Sequence, residues 1–295
     1  MAGMVFMAHS MVNNGASVTI RYGRRLEKND TPKGILDPAA AARRFQLRRH
    51  APPPALAPLV EYLWIVEWDL RGLPASTQRV LPYPHAHLVF EAGLTAVHGI
   101  VRGPFDKALA GQGRALGLRF RAGGLRPLLD GPVAALTGRV VALDDLLGID
   151  GTGAERHVLA AQGDDAMIAA ASDVLAPLVA AAPADPRIDV AERAVQAAAA
   201  EHGPVSVAAL AQAAGLPERG LQRLFRDYVG VPPKWVVQRF RLQEAAALLV
   251  NPASPDLAAL AQRLGFFDQA HLTRAFTALV GRSPLEYWKS QRQAH

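Results

Sequence analysis

The most regular pattern of apolar and polar positions in the chain occurs twice, about fifty residues apart. The first copy is "AALAQAAGLPERGLQRLF" at 208–225, and the second is "AALAQRLGFFDQAHLTRAF" at 258–276. Each copy spaces its apolar residues three and four apart, stops at a glycine and then resumes the same spacing. This pattern predicts two helix-turn-helix units, each with a short first helix, a turn and a second helix.

The ends of the two first helices fit this prediction. Ser206 and Asp256 belong to the residue types that cap helix N-termini, and Gly215 and Gly265 stand where the first helix stops and the chain turns. We expect each first helix to bury a stripe of apolar residues: Ala209, Leu210 and Ala213 in the first copy, and Ala259, Leu260 and Leu264 in the second.

The second helix of each unit divides into an apolar and a polar face. We expect burial of Leu221, Leu224, Phe225 and Val229 in the first copy, and of Leu272, Phe276, Leu279 and Val280 in the second. The opposite face carries Arg219, Gln222, Arg223 and Arg226 in the first copy, and Gln269, His271, Thr273, Arg274 and Thr277 in the second. Arg pairs with guanine and Gln with adenine in the DNA major groove. The other interpretation is a helical bundle with polar outer helices, but two copies that both carry Arg favour DNA binding.

A third helical pattern lies between the two units, at 234–250 ("KWVVQRFRLQEAAALLV"). A helix of that length spans about 25 Å. Such a spacer could place two recognition helices in successive major grooves, which lie roughly 34 Å apart.

The stretch "LAQRLGFFDQAHLTRAFTALVGRSPLEYW" resembles the signature of the AraC/XylS family of bacterial transcription regulators. The chain supplies the family's motif residues at Gly265, Phe266, Phe276, Gly281, Pro284 and Tyr287, and the resemblance covers about 200–290. It implies base-facing roles for Arg219, Gln222 and Arg223 in the first unit and for Ala270, His271 and Arg274 in the second. It also implies that Thr273 lies near the DNA backbone. Ala270 has no hydrogen-bond donor, so we expect the second unit to read fewer bases.

Residues 59–145 show a different pattern, with short alternating segments such as "VEYLWIVEW" that end at Gly or Pro. These segments predict strands of a small barrel or sandwich, and helical patterns follow them. The stretch is also similar to a cupin-like sensor domain found in one subgroup of the regulators. We therefore predict an α+β chain: a basic, disordered segment at 1–50, a sensor or dimerisation domain at 51–185, and a double helix-turn-helix domain at 186–295.

Four side chains of the middle region are candidates for ligand binding: Trp64, His85, His87 and Arg119. His85 and His87 are two apart on a strand, as in a cupin metal site, but a site needs further ligands, for which Glu91 and His98 are available. The alternative is that these histidines are ordinary strand residues. Trp64 and Arg119 could line an aromatic or anion pocket, or could belong to the core and to a solvated face. We predict no metal.

Composition narrows the range of functions. The 295 residues contain no Cys, which excludes disulfides and thiolate chemistry and is typical of a reducing cytoplasm. The net charge of +6 is concentrated at the ends, because 1–50 carries nine Lys/Arg against three Asp/Glu, and 201–295 carries eleven against seven. No apolar run reaches the roughly 18–20 residues of a membrane span. These features predict a cytoplasmic, nucleoid-associated protein with a polyanionic partner.

Three functions are compatible with these patterns. The first is a promoter-binding transcription regulator without catalytic residues or cofactor, controlled by a small-molecule effector through its N-terminal domain. Its further partners would be a second copy of the chain, as a homodimer, and RNA polymerase. The second is a metal-dependent cupin-like enzyme or ligand-binding protein fused to a DNA-binding module. The third is an unregulated architectural DNA binder.

Overall fold

The structure is a computed structural model that describes residues 44–80, 83–200, 203, 206–250 and 254–293. Its N-terminal half is built around β-sheet and its C-terminal part is helical, which confirms the predicted α+β class. Most of the segment predicted to be disordered, residues 1–43, lies outside the described residues. The last residues of that segment form a strand, Gln46–His50, so the sheet begins before residue 51.

Eight strands are described, all in antiparallel pairs. They are β1 (Gln46–His50), β2 (Val60–Leu70), β3 (Ser76–Val80), β4 (His87–Glu91), β5 (Ala96–His98), β6 (Phe105–Leu109), β7 (Gly111–Phe120) and β8 (Val140–Ala142). Six strands form one sheet in the order β1-β2-β7-β4-β5-β8, and β3 pairs with β6 in a separate two-stranded ribbon. The finer description of this domain as cupin-like stays a prediction.

One face of the six-stranded sheet forms the core. Leu63 lies opposite Leu118 and Ile65 opposite Leu116, and these four side chains are fully buried. From Tyr62 on, the faces of β2 follow the alternation of "VEYLWIVEW", because strand side chains alternate. At the start of the strand a register shift between Val60 and Tyr62 interrupts the alternation, and Val60 is buried in the core as well. On the other face Trp64 lies across β7 at Gly117, where a Cβ would come within 2.1 Å of the indole. Glycine is needed there for the ring to approach the sheet.

Ten α-helices follow among the described residues. They are α1 (Leu143–Leu147), α2 (Gly151–Ala160), α3 (Asp164–Ala181), α4 (Arg187–Ala199), α5 (Val207–Ala213), α6 (Glu218–Leu224), α7 (Pro233–Leu248), α8 (Leu257–Arg263), α9 (Gln269–Val280) and α10 (Pro284–Gln293). A π-helical turn, Phe225–Val229, continues α6, and short 3₁₀ turns occur at Arg126–Leu128 and Val133–Leu136. No helix in the described part of the chain is long and apolar enough to cross a membrane.

The buried residues form two clusters that do not follow the domain division predicted at 185/186. The larger cluster runs without interruption from the sheet through α3, α4, α5 and α6 to Phe240 in α7. The smaller cluster begins at Leu242 in the same helix and continues through α8 and α9 to Tyr287. The first helix-turn-helix unit thus shares its core with the N-terminal region, and the second unit has a core of its own.

Candidate nucleic-acid interface

The first repeat unit folds as helix, turn and helix. The side-chain oxygen of Ser206 accepts a hydrogen bond from the amide of Ala209 at 3.1 Å, which caps α5 as its residue type predicted. Gly215 follows α5 with a φ of 65°, a left-handed conformation that glycine adopts without steric cost. The chain therefore turns at the residue that the sequence indicated, and α6 begins three residues later.

The apolar stripes predicted for the first helices are confirmed at Leu210 and Leu264 and are wrong at Ala213 and Ala259. Leu210 and Ala211 are buried in α5, whereas Ala213 is exposed; Leu257, Ala261 and Leu264 are buried in the second unit, whereas Ala259 is exposed. The reason is that both helices are short and rich in alanine. An alanine contributes so little to the hydrophobic pattern that neighbouring registers cannot be separated by sequence.

The second helix of the first unit has the two predicted faces. Leu221, Leu224, Phe225 and Val229 are buried, and Arg219, Gln222, Arg223 and Arg226 are exposed. The π-helical turn widens the helix at its end and brings Tyr228 into the core as well. Sequence periodicity could not indicate this turn, because it predicts a regular helix throughout.

The second unit repeats this arrangement with stronger capping. Asp256 accepts hydrogen bonds from the amides of Ala258 and Ala259, both at 3.0 Å. Asp268 caps α9 by accepting from the amide of His271 at 2.6 Å, a role that the sequence analysis missed. An Asp immediately before a helical apolar pattern is the signal that could have revealed this cap.

The second helix of the second unit, α9, also divides as predicted. Leu272, Phe276, Leu279 and Val280 are buried, and Gln269, Ala270 and Arg274 are exposed. His271 and Thr273 are half-buried, and the His271 ring packs edge-on against Phe266 with centroids 5.3 Å apart. His271 therefore also has a structural role at the start of α9.

The exposed arginines of the two helices differ in their partners. Arg219, Arg223 and Arg274 form no ion pair or hydrogen bond with any residue in the described ranges, whereas Arg226 lies 2.8 Å from a carboxylate oxygen of Asp227. Unpaired guanidinium groups on an exposed helix face are available for phosphate or guanine. The structure thus presents one positively charged polar helix face in each unit.

The linker helix α7 joins the two units and is tied to the larger core. It has sixteen residues, which corresponds to a length of about 24 Å. Arg241 is buried and donates to the carbonyl oxygens of Ala198 and Ala200 at 2.9 and 3.1 Å, so it covers the C-terminus of α4. It also forms an ion pair with Glu244, at 2.5 Å.

The N-terminal region contacts the first unit directly at Gly230. The hydroxyl of Thr137 donates to the carbonyl oxygen of Gly230, at the end of the π-helical turn, at 2.6 Å. Gly230 has a φ of 89°, and a Cβ there would come within 2.8 Å of Ile100 and 3.1 Å of Val133. Only glycine fits this backbone conformation and this close packing.

Helix α4 makes a second connection between the same parts. Glu192 is buried and accepts from the amide of Ala122 at 2.6 Å, and Asp189 accepts from Arg121 at 2.6 Å. Since α4 also packs against α5 and α7, these bonds join the end of β7 to the first unit. The N-terminal region and the first unit are therefore held by polar contacts as well as by a shared core.

Arg119, one of the four ligand candidates, is buried in a cluster of side chains. Its guanidinium donates to the Tyr62 hydroxyl at 3.1 Å, contacts His85 at 2.8 Å and lies 2.9 Å from Glu61. The guanidinium also lies over the ring of Tyr83, 4.8 Å from its centroid. Burial, followed by the charge of Arg119, keeps the pKa of His85 well below its usual range, so this histidine is neutral.

Trp64 and His87 form a separate pair, in which the indole N–H donates to Nδ1 of His87 at 3.2 Å. Burial is the main cause that lowers the pKa of His87 to about 3, with a contribution from Arg119. Of the two residues considered as further metal ligands, Glu91 pairs with Lys107 at 2.6 Å, and His98 lies opposite His87 in the sheet. Within the described ranges, no group of three or more His, Asp or Glu side chains is placed to hold a metal ion.

An open cleft of about 770 Å³ lies elsewhere, along β1, β2 and β7. Glu67, Trp68, Arg114 and Gln162 are among the residues that line it. None of the four ligand candidates reaches this cleft. Sequence reasoning did not identify Glu67, Arg114 or Gln162 as parts of one site, because they come together from distant parts of the chain.

Two families match parts of the chain. Residues 210–290 match a family described as a helix-turn-helix domain, and residues 48–142 match a domain of unknown function (DUF6597). Residues 210–290 are a helix-turn-helix domain of the AraC type, which confirms the family resemblance found in the sequence.

Similar proteins include bacterial regulators of transcription. YkgA of Escherichia coli (strain K12), whose name describes an HTH-type transcriptional regulator, is 37% identical over 87 residues, or 30% of this chain and 36% of YkgA. The HTH-type transcriptional regulator Rv1931c of Mycobacterium tuberculosis (strain ATCC 25618 / H37Rv) is 35% identical over 88 residues, or 30% of this chain and 34% of that protein. The chain thus spans about a third of the length of these relatives.

Solved structures also match. A transcriptional regulator with an AraC-type DNA-binding domain from Chromobacterium violaceum is 25% identical to this chain and has a TM-score of 0.32. The match covers 36% of this chain and 96% of the Chromobacterium chain. An apo ToxT variant from Vibrio cholerae is 11% identical to this chain, with a TM-score of 0.33. The match covers 77% of this chain and 97% of the ToxT chain.

Proposed function

We propose that the protein is a sequence-specific DNA-binding transcription regulator of the AraC/XylS type. One observation carries this proposal: each of two helix-turn-helix units exposes a polar helix face with at least one unpaired arginine. A recognition helix of this kind enters the major groove and contacts base edges with residues near its N-terminus. Arg219, Gln222 and Arg223 would contact bases from α6, and Gln269, Ala270, His271 and Arg274 from α9.

Two further residues would contact the DNA backbone in this proposal. Arg226 is exposed at the end of the first recognition helix, and its exposed guanidinium can exchange Asp227 for a phosphate. Thr273 is half-buried on α9, beside the base-facing side. Backbone contacts of this kind set the register of the protein on DNA but carry no sequence information.

We further propose that the N-terminal domain controls the first unit when it binds a small-molecule effector. The shared core and the contacts at Gly230 and Glu192 support this proposal, because a shift in the sheet region would act directly on the base of α6. Trp64, His85, His87 and Arg119 stay candidates for the effector site. Their polar atoms bond to each other and to Tyr62 and Glu61, so a ligand would have to replace these internal contacts.

The experiment is a selection of binding sites from random double-stranded DNA with the full chain, followed by footprinting on the chain's own upstream region. A regulator with two reading units should select two short conserved segments about 10 base pairs apart, one helical turn of DNA. If the protein binds DNA but enriches no particular sequence, the result favours an architectural DNA binder. If the protein binds no DNA at physiological salt, the result contradicts the proposal.

A homodimer and a contact with RNA polymerase are also part of the proposal. The apolar residues Met167 and Leu175 of α3 are buried in the larger core, so they are not available for a dimer interface. Light scattering of the full chain with and without DNA measures the oligomeric state directly.

A further inference from the structure

The turn between α8 and α9, which we call the tip of the second unit, exposes a large apolar side chain. Phe267 is 92% exposed, whereas its neighbour Phe266 is only 7% exposed and belongs to the core of this unit. No other large apolar side chain in the described ranges is exposed to this degree. An aromatic ring left in water forgoes the stabilisation that burial would give it.

The backbone at this tip is fixed by hydrogen bonds. Asp268 caps α9 at the amide of His271, and the amide of Phe267 lies 3.4 Å from Nδ1 of His271. The His271 ring is in turn held against Phe266. Phe267 therefore projects from an ordered turn, two residues before the first residue of the recognition helix and next to its N-cap Asp268.

The residues beside Phe267 indicate what its ring contacts. Asp268, Gln269 and Ala270 are all exposed, so the ring stands alone rather than in an apolar patch of several hundred Å², as a protein partner would require. Ala270 follows three positions later and also presents only a methyl group. Phe and Ala are side chains that make apolar contacts with the C5-methyl group of thymine.

We propose that Phe267 is a specificity-determining residue that reads a thymine methyl group in the major groove, with Ala270 extending the same apolar contact. This proposal rests on the DNA-binding function proposed above. It changes the expected role of the second unit: the missing donor at Ala270 does not merely weaken recognition, because the unit reads thymine by apolar contact in place of a hydrogen bond.

The test removes single methyl groups from the DNA. In the selected site, each thymine of the half bound by the second unit is replaced in turn by deoxyuridine, and dissociation constants are measured for the full-length wild type and for Phe267→Ala. Loss of one buried methyl contact should weaken wild-type binding about fourfold at one position. Phe267→Ala should bind the natural site about as weakly and should be insensitive to that methyl group.

Three controls make the result specific. Arg274→Ala should lose affinity but keep the sensitivity to the methyl group. Phe267→Ala should melt at the wild-type temperature because its ring is exposed, whereas Phe266→Ala should melt lower because its ring is buried. Thymines in the half bound by the first unit should respond equally in wild type and Phe267→Ala.

The proposal is overturned if no deoxyuridine in that half weakens wild-type binding, or if Phe267→Ala keeps the wild-type sensitivity. It is also overturned if Phe267→Ala binds DNA normally and loses only transcriptional activity, which would assign the ring to a protein partner. In each of these cases the selected two-part site still supports the DNA-binding function. If no site is selected at all, both proposals fail together.

Discussion

At the scale of single residues, Gly220 stands out because glycine has a low helix propensity and lies here inside the first recognition helix. It lies inside α6, its φ is not in the left-handed region, and a Cβ would be 3.4 Å from Pro217, an ordinary contact distance. Gly220→Ala should therefore raise the free energy of unfolding by about 1 kcal/mol, because alanine has the higher helix propensity. Urea denaturation measures the change, and a loss of stability would show that the turn before α6 needs the glycine.

His87 should make the stability of the protein depend on pH. Its pKa is lowered to about 3, so between pH 6.5 and about 3 the unfolded chain binds a proton that the folded chain does not. The contribution of His87 to the free energy of unfolding is therefore fully present above pH 6.5 and is lost on acidification. In that window the free energy of unfolding falls by up to about 1.4 kcal/mol per pH unit because of this histidine.

His87→Gln removes this titration and should flatten the dependence of unfolding free energy on pH in that window. Fluorescence is a suitable signal because Trp64 donates to His87. An unchanged slope in the variant would mean that the ring is accessible to protons in the folded state. His85 should keep part of the slope, since its pKa is lowered for the same reason.

At the scale of elements, Gly215 and Gly230 offer a matched pair. Both have positive φ, but a Cβ at Gly215 would meet nothing within 4 Å, whereas a Cβ at Gly230 would meet Ile100 at 2.8 Å. Gly215→Ala should cost about 1–2 kcal/mol from backbone strain alone. Gly230→Ala should cost about 1–3 kcal/mol more, because it overpacks the contact between the π-helical turn and the N-terminal region.

Thermal and urea denaturation of the two variants provide the comparison. Equal losses would indicate that the first unit can move away from the N-terminal region without cost. A larger loss in Gly230→Ala, with DNA binding weakened in that variant only, is the result expected if the contact fixes the position of α6.

The helices and turns of the two helix-turn-helix units could be predicted from the sequence because their local patterns are strong. Apolar side chains such as Leu221 and Phe276 recur at helical spacing, and Gly215 marks the end of a helix, so local pattern and fold agree. The prediction was wrong where the pattern is faint, as in the alanine-rich stripe with Ala213. It gave no signal for the π-helical turn, because a periodic pattern predicts a regular helix throughout.

At the scale of the whole molecule, the two units differ in how they are held. The first unit shares a core with the N-terminal region, whereas the second has a separate core that begins halfway along α7. Sequence could not predict this division, because it arises from contacts such as Thr137 to Gly230, which are 93 positions apart. The ligand candidates show the same limit: Arg119 and His85 come together only in the folded sheet and engage each other there.

The measurement that tests the account most directly is the base preference of single-arginine variants on a selected two-part site. Arg223→Ala should weaken binding by about 1–3 kcal/mol and relax the preference at one position in one half only, while Arg274→Ala does the same in the other half. Arg226→Ala should weaken binding evenly for all sequences. If both Arg223→Ala and Arg274→Ala keep the wild-type preference at every position, the two exposed helix faces do not read DNA and the account is wrong.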